Sequence, residues 1–215
     1  MAPQRMAWLE ASDVLPMFPS LVWKLTLRPE LRDALAADAL AALAALRRDE
    51  PLLARGQGWQ SPQDLHRREP FATLVGCIHD ATRSILRFLH IADDAACEIT
   101  GCWVTVLAPG AAHKLHSHPN NFLSGVYYLR TSPGADTLNF HDPRKQTGVI
   151  RPPVLALSAE NTDQVVVQVS DGTLLMFPSY LEHSVDATSS DDERITVSFN
   201  LMFSNYVQTM SRPLW

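Results

Sequence analysis

The sequence lacks the features that define several large classes of protein. None of the apolar runs in its 215 residues approaches the roughly 20 residues that a membrane helix needs. The opening stretch, MAPQRMAWLEASDV, has no long apolar core and no small-residue cleavage site, so we expect neither a signal peptide nor a membrane partner. The net charge is −5 and the basic residues form no stripe, which argues against nucleic acid as a partner.

Cysteine is also scarce. The chain contains three, Cys77, Cys97 and Cys102, which is an odd number and includes no C-x-x-C pair. This pattern does not favour a disulfide framework. It favours a cytoplasmic protein in which the cysteines serve as small buried residues.

What the sequence does contain is typical of one folded unit with two parts. Hydrophobic residues make up 46% and charged residues 19%. Leucine and alanine recur at three- and four-residue steps over 29–48, which predicts a helix, and a similar stripe predicts a second helix over about 71–90. After about residue 98, short β-rich runs alternate with Pro, Gly and Asp clusters. These runs are EITGCWVTVLA, FLSGVYYLR, TLNF, QVVVQVS, TLLMFP and ERITVSFNLMF.

We therefore predict an α+β, mainly β, fold in a single domain over 1–215. A helical N-terminal part, about 1–97, precedes a jelly-roll core of about eight strands, about 98–215. We expect the helices to pack on one sheet, as in other layered α+β folds.

Three histidines have the spacing of a jelly-roll metal site. Residues i and i+2 of a strand point to the same face, so His116 and His118 can aim at one point. An H-x-H pair alone is a weak signal, because two solvated loop histidines would give the same pattern. His183 follows several strands later, after the apolar run TLLMFP, and completes the pattern. Imidazole suits iron, copper, zinc and nickel, so the ligand type does not choose the metal.

Other residues compete for a place in this site. His113 could replace His118 as a ligand, but it lies out of phase with the strand and an exposed loop position is favoured. Asp142 could supply a carboxylate, although Asp-Pro is typical of the start of a turn. Arg144 suits either an anionic substrate or a turn salt bridge. Asn120, Asn121 and Asn200 are further pocket candidates, whereas Trp103 and Tyr127 are more typical of a core.

Several sequence blocks resemble the 2-oxoglutarate–Fe(II) oxygenase families of the cupin-like double-stranded β-helix superfamily, and most closely a bacterial and phage subgroup. The blocks are GWQS at 58–61, HSHP at 116–119, SGVYYL at 124–129, FHDPR at 140–144, FPS at 177–179, LEH at 181–183 and RITVSFN at 194–200. The resemblance extends from about Phe18 onward, and the blocks after Trp103 carry most of its weight. His118 is the main departure, because it stands where this family usually has an aspartate.

The resemblance implies a 2-oxoglutarate-dependent dioxygenase with Fe(II) on His116, His118 and His183. It also implies that the cosubstrate chelates the metal, that a ferryl intermediate follows, and that hydroxylation of a small-molecule or peptide substrate is the usual outcome. Arg194, 11 residues after His183, would bind the far carboxylate of 2-oxoglutarate, since its planar guanidinium can form two parallel bonds.

Thr196 and Tyr128 are the further residues that we assign to cosubstrate binding. For both residues, ordinary packing within a strand is the competing interpretation. The alternative for Arg194 is a surface salt bridge with Asp191, Asp192 or Glu193.

Two other functions stay open. One is a cupin-like three-histidine dioxygenase that uses no 2-oxoglutarate; Gly110, Gly172 and Pro178 match cupin positions, but the usual cupin glutamate after the H-x-H pair is absent. The other is a non-catalytic metal or ligand sensor on the same fold. The edges of jelly-roll sheets often pair, so a homodimer is open as well.

Overall fold

Two antiparallel sheets and two long helices make up the part of the chain that the computed structural model describes, residues 8, 10–144, 149 and 152–207. The helices are α1 (Pro29–Leu46), α2 (Ala72–Phe88) and a single turn α3 (Ser204–Val207), and two short 3-10 turns span Leu65–Arg67 and Glu69–Phe71. The first five strands are β1 (Trp23–Thr26), β2 (Gly58–Gln60), β3 (Cys97–Leu107), β4 (His113–His116) and β5 (Leu123–Arg130). The other five are β6 (Thr137–His141), β7 (Gln164–Gln168), β8 (Thr173–Pro178), β9 (His183–Val185) and β10 (Arg194–Phe203).

The larger sheet has six strands in the order β1-β8-β5-β10-β3-β2, and the smaller has four in the order β4-β9-β6-β7. All pairings between named strands are antiparallel, and the chain changes sheet at every step from β3 to β10 except between β6 and β7, which pair with each other, as in a jelly-roll. The predicted mainly-β jelly-roll of about eight strands is confirmed. The two extra strands, β1 and β2, come from the N-terminal part, which was expected to be helical.

The inner faces of the two sheets meet in one apolar cluster. This cluster contains Val126 and Phe177 from the larger sheet, and Leu138, Phe140 and Val185 from the smaller one. Inward and outward side chains alternate along each strand, so the next residues along β5 and β8 face the other way. A pocket that opens into this inner layer is therefore bounded by both sheets.

The helices cover the outer face of the larger sheet, as predicted. Leu35, Ala39 and Leu43 are the buried residues of α1, and they belong to the same stripe that predicted the helix. With residues of α2 they pack on the outward residues of β5, β8 and β10, among them Tyr127 and Phe199. The helices thus stabilise the sheet from outside and leave its inner face to the site.

His90, which lies outside the three-histidine cluster, has a structural role at the end of α2. His90 has φ +54° and its backbone N–H donates to the carbonyl of Arg87, while the N–H of Ile91 donates to that of Leu86. These two bonds form the motif that ends many helices, with a left-handed residue that is glycine in most proteins. His90 is exposed and its role here is structural.

No helix of the described segments combines the length and the apolar character that crossing a bilayer requires. The three cysteines are free, with Cys102 fully buried and Cys77 and Cys97 half-buried. Burial raises the pKa of the Cys102 thiol to about 12 and that of Cys97 to about 11, so both stay protonated at neutral pH.

Candidate metal centre

Three imidazoles converge between the sheets. Each of His116, His118 and His183 offers one ring nitrogen, and the three nitrogens lie within 4.8 Å of one another. The ring centroids are 4.3 Å apart for His116–His183, 5.1 Å for His116–His118 and 5.2 Å for His118–His183. This is the geometry of three ligands on one face of a metal ion, with the other positions left for exogenous groups.

The backbone brings the three rings together through two short strands of the smaller sheet. His116 ends β4 and lies opposite His183, the first residue of β9. His118 lies beyond the end of β4, and its backbone N–H donates to the carbonyl of Ser179 at 2.9 Å. His116 and His118 therefore aim at one point as predicted, although the strand that was expected to hold both contains only the first.

Hydrogen bonds select the nitrogen that two of these rings present. The Nδ1 of His116 lies 2.8 Å from the carbonyl oxygen of Lys114, and the Nδ1 of His183 lies 3.0 Å from that of Leu181. A carbonyl can only accept, so each Nδ1 carries the proton and each Nε2 keeps a free lone pair. Bonds of this kind fix the ring orientation of metal-binding histidines in many proteins.

Burial keeps the imidazoles of His118 and His183 unprotonated. It lowers the pKa of His183 to about 3, an effect that the Leu181 carbonyl opposes and the neighbouring histidines reinforce. Burial and the proximity of His116 lower the pKa of His118 to about 4. Because a metal needs the imidazole lone pair, both rings are in the metal-binding form at neutral pH.

A narrow cavity leads from the three histidines to Arg194. The side chain of Arg194 is only 3% exposed, although arginine is almost never fully buried without a partner. Its Nη2 donates weakly, at 3.3 Å each, to the Tyr128 hydroxyl and the Thr137 carbonyl. Its Nε is buried and has no hydrogen-bond acceptor among the described residues.

The acidic residues next to Arg194 in sequence do not pair with it. Glu193 binds Arg47 at 3.3 Å, and Asp191 lies 4.0 Å from Arg55. The surface salt bridge that competed with the cosubstrate role is therefore absent among the described residues. A buried guanidinium with no carboxylate partner and an unbonded Nε is the feature expected of an arginine that receives an anionic ligand.

Residues 101–200 match the model of a family described as "Putative 2OG-Fe(II) oxygenase". The match begins within β3 and ends within β10, so it spans the jelly-roll, all three histidines and Arg194. This part of the chain is a 2-oxoglutarate–Fe(II) oxygenase domain. Enzymes of this family are oxidoreductases that depend on Fe(II) and 2-oxoglutarate. No curated protein sequence matches the chain.

Solved structures of low sequence identity share the fold of the oxygenase domain. A prolyl-4-hydroxylase from Pseudomonas putida is 16% identical, with 86% of this chain and 93% of that one aligned at a TM-score of 0.58. HygX from Streptomyces hygroscopicus, crystallised with nickel and 2-oxoglutarate, is 12% identical over 86% and 83% of the two chains, with a TM-score of 0.59. A prolyl hydroxylase from Trichoplax adhaerens in complex with a hypoxia inducible factor peptide is 15% identical over 89% and 87%, with a TM-score of 0.59.

In the oxygenase domain the two further cosubstrate candidates, Thr196 and Tyr128, pair with each other across β10 and β5 beside Arg194. Thr196 is 5% exposed and lines the cavity. Tyr128 is fully buried, does not line the cavity, and lies with its ring 5.1 Å from the Arg194 guanidinium carbon. Burial raises the pKa of Tyr128 to about 12, an effect that Arg194 opposes, so its hydroxyl stays protonated. Tyr128 therefore contacts the Arg194 guanidinium and not the open space of the cavity.

The expectation that His113 is an exposed loop residue is wrong. His113 begins β4 opposite Val185, is half-buried, and lines the cavity near His116, with 6.0 Å between the ring centroids. A β-bulge between His113 and His116 supplies the extra residue that brings the two into the same phase. His113 is not one of the three converging ligands, so the structure favours His118 as the third.

Asp142 lies outside the metal centre. Its carboxylate accepts hydrogen bonds from the backbone N–H and the guanidinium of Arg144, which is the turn arrangement expected of the Asp-Pro sequence. Both residues line a different cavity, beside residues 16–20. Three asparagines were further candidates. Asn120 is an exposed turn residue with φ +61°, Asn121 bonds Thr100, and Asn200 accepts a bond from Ser124.

Among the cavity-lining residues that sequence reasoning missed, three can donate hydrogen bonds from their side chains: Gln60, Trp103 and Ser198. Trp103 was assigned to the core, yet its ring lies 6.1 Å from that of His118. The pairing of β3 with β10 places Trp103 opposite Ser198, and that of β2 with β3 places Gln60 opposite Thr105. The alternation of β10, in which Arg194, Thr196 and Ser198 share one face, is a sequence signal that predicts Ser198.

Proposed function

We propose that this protein is a 2-oxoglutarate- and Fe(II)-dependent dioxygenase that hydroxylates an organic substrate. His116, His118 and His183 would hold the metal through their free nitrogens, and Arg194 would bind the far carboxylate of 2-oxoglutarate. Thr196 would add a hydroxyl to that carboxylate, and Tyr128 would orient the guanidinium. Fe(II) would activate dioxygen for the oxidative decarboxylation of 2-oxoglutarate, which yields succinate and carbon dioxide.

The observation that carries this proposal is the burial of Arg194, which has no acidic partner among the described residues, in the same cavity as three converging imidazoles. An uncompensated cation away from water is costly, and the cost is offset when a carboxylate arrives. 2-Oxoglutarate carries a carboxylate at each end and so suits a cavity that has metal ligands at one end and a guanidinium at the other. A three-histidine dioxygenase without 2-oxoglutarate would need such an arginine only if its own substrate were an anion.

The residues of the chain would contribute geometry and water exclusion. The backbone carbonyls of Lys114 and Leu181 hold two imidazoles in one tautomer, which preorganises them for metal binding. Apolar side chains such as Leu138 and Phe177 line the same cavity and would limit the entry of water. Water exclusion strengthens each electrostatic contact inside and protects reactive species from side reactions.

Three finer points belong to the same proposal. The working metal would be Fe(II), although zinc, nickel or copper could bind the same imidazoles during purification. The compartment would be the cytoplasm, in keeping with the three free cysteines. The substrate would be a small molecule or a peptide, with no nucleic-acid or membrane partner. A homodimer through a sheet edge is a separate proposal that sedimentation would test.

Anaerobic titration of the Fe(II)-loaded protein with 2-oxoglutarate tests the cosubstrate. In the wild type we expect a weak visible metal-to-ligand charge-transfer band that saturates. For Arg194→Ala, the band should need about 30-fold or more cosubstrate, because removing one partner of a buried charge pair costs at least about 2 kcal/mol. Arg55→Ala is the matched control, since it removes a 70% exposed arginine side chain whose nearest acid is Asp191 at 4.0 Å.

Two results would count against the proposal. If iron binds and no band forms at any concentration of 2-oxoglutarate, the result would favour one of two other functions. These are a three-histidine dioxygenase without this cosubstrate and a metal sensor. If the band forms with equal affinity in the wild type and in Arg194→Ala, 2-oxoglutarate binds but Arg194 is not its anchor.

A further inference from the structure

The cavity that holds the metal centre is lined by one permanently positive side chain and by several hydrogen-bond donors. Among the described residues that line it there is no aspartate or glutamate, and Arg194 is the permanently charged side chain. His118, one of the three converging histidines, stands where the family that the sequence resembles usually has an aspartate.

The charges do not cancel when the proposed ligands are bound. Fe(II) contributes two positive charges and Arg194 one, while the three ligand imidazoles contribute none and 2-oxoglutarate contributes two negative charges. The loaded centre therefore keeps one net positive charge. An aspartate in place of His118 would have brought the total to zero.

Nearby acidic residues outside the cavity do not supply the missing charge at the metal. Asp142 pairs with Arg144, Glu193 pairs with Arg47, and Asp186 accepts a hydrogen bond from Asn139. None of the three belongs to the group of ligand atoms that converge within 4.8 Å. In a cavity of low dielectric, a residual charge attracts a counter-ion more strongly than it would in water.

From this charge balance we infer that the centre holds one further anion together with 2-oxoglutarate, and that the substrate is an acid whose anionic group lies beside the metal. The inference rests on the proposed function and names the class of substrate that the same site would take. Gln60, Trp103 and Ser198 line the cavity with groups that can donate hydrogen bonds to such an anion.

A test uses the Co(II)-loaded protein under anaerobic conditions, because the visible bands of Co(II) respond to ligand exchange. The protein is first saturated with 2-oxoglutarate and then titrated with azide, a monoanion, or with imidazole, a neutral ligand. His118→Asp is the matched variant, since it supplies the missing negative charge at one defined position. Metal analysis before each titration ensures that the wild type and the variant carry the same amount of Co(II).

We expect azide to bind the wild type at least about tenfold more tightly than His118→Asp, because one full charge acts at short range. Imidazole should bind both proteins with affinities that agree within about threefold, since a neutral ligand gains little from the charge. Equal azide affinities after a normal response to 2-oxoglutarate would overturn this inference alone. No spectral response to 2-oxoglutarate in either protein would overturn the proposed function on which it rests.

Discussion

The two faces of β10 differ in the polarity of their side chains. Its outward residues Ile195, Val197, Phe199 and Leu201 are apolar, at most 3% exposed, and packed in the core beneath the helices. Its inward residues are all polar, Arg194, Thr196, Ser198 and Asn200, and the first three line the cavity of the metal centre. One strand of ten residues thus serves the fold on one side and the site on the other.

The difference shows how the chain separates stability from function. The outward side chains contribute to folding through burial of apolar area, which is favourable whether or not a ligand is present. On the inward side, the buried guanidinium of Arg194 costs free energy until a ligand satisfies it. Substitutions on the two faces should therefore change stability in opposite directions.

The largest effect is expected on the outer face. Phe199→Ala should lower the free energy of unfolding by about 3–5 kcal/mol, because Phe199 is fully buried and its ring fills the space above Gly125 that a Cβ there would enter. Urea denaturation measures the loss. Leu52→Ala, at a residue that is 93% exposed, is the control and should change stability by less than about 0.5 kcal/mol. A loss below about 1 kcal/mol for Phe199→Ala would contradict the separation of the two faces.

Much of the fold could be predicted from the sequence because it follows from the periodicity of hydrophobic residues. The leucine and alanine stripe over 29–48 predicted α1 and its buried residues, and the β-rich runs predicted six of the strands. The ligand histidines were found because their order along the chain matches a jelly-roll site. Arg194 was found through family resemblance, and its burial then removed the salt-bridge alternative.

What could not be predicted depends on irregular or long-range pairing. β1 and β2 have only four and three residues and form by adding to sheet edges, for which their own sequences give little signal. His113 was misplaced because a β-bulge shifts the phase, and a single sequence does not show where a bulge occurs. Trp103 was assigned to the core because its neighbour across the site, His118, lies 15 residues away along the chain.

Substitution of Arg194 on the inner face should raise the free energy of unfolding when metal and 2-oxoglutarate are absent. Arg194→Met keeps much of the side-chain volume and removes a buried cation that has no acidic partner in the described segments. The metal-free protein should therefore gain about 1–3 kcal/mol in its free energy of unfolding. Urea denaturation in the presence of a chelator measures this. With metal and 2-oxoglutarate the order should reverse, since only the wild type is stabilised by tight cosubstrate binding. A metal-free Arg194→Met protein that is less stable than the wild type would mean that Arg194 already has a compensating partner.

The smallest expected effects on cosubstrate affinity and stability come from two adjacent tyrosines, Tyr127 and Tyr128, on opposite faces of β5. Tyr128 accepts a hydrogen bond from Arg194 on the inner side, whereas the buried hydroxyl of Tyr127 has no partner among the described residues. Tyr128→Phe should weaken 2-oxoglutarate binding by about fivefold, equivalent to about 1 kcal/mol, because the guanidinium loses one of the contacts that orient it. Tyr127→Phe should leave that affinity unchanged and stabilise the fold by up to about 1 kcal/mol, since it removes an unsatisfied buried group. Anaerobic titration and urea denaturation of both variants separate the two roles. Equal effects of the two substitutions on cosubstrate affinity would show that the tyrosines act through packing of the sheet and not through Arg194.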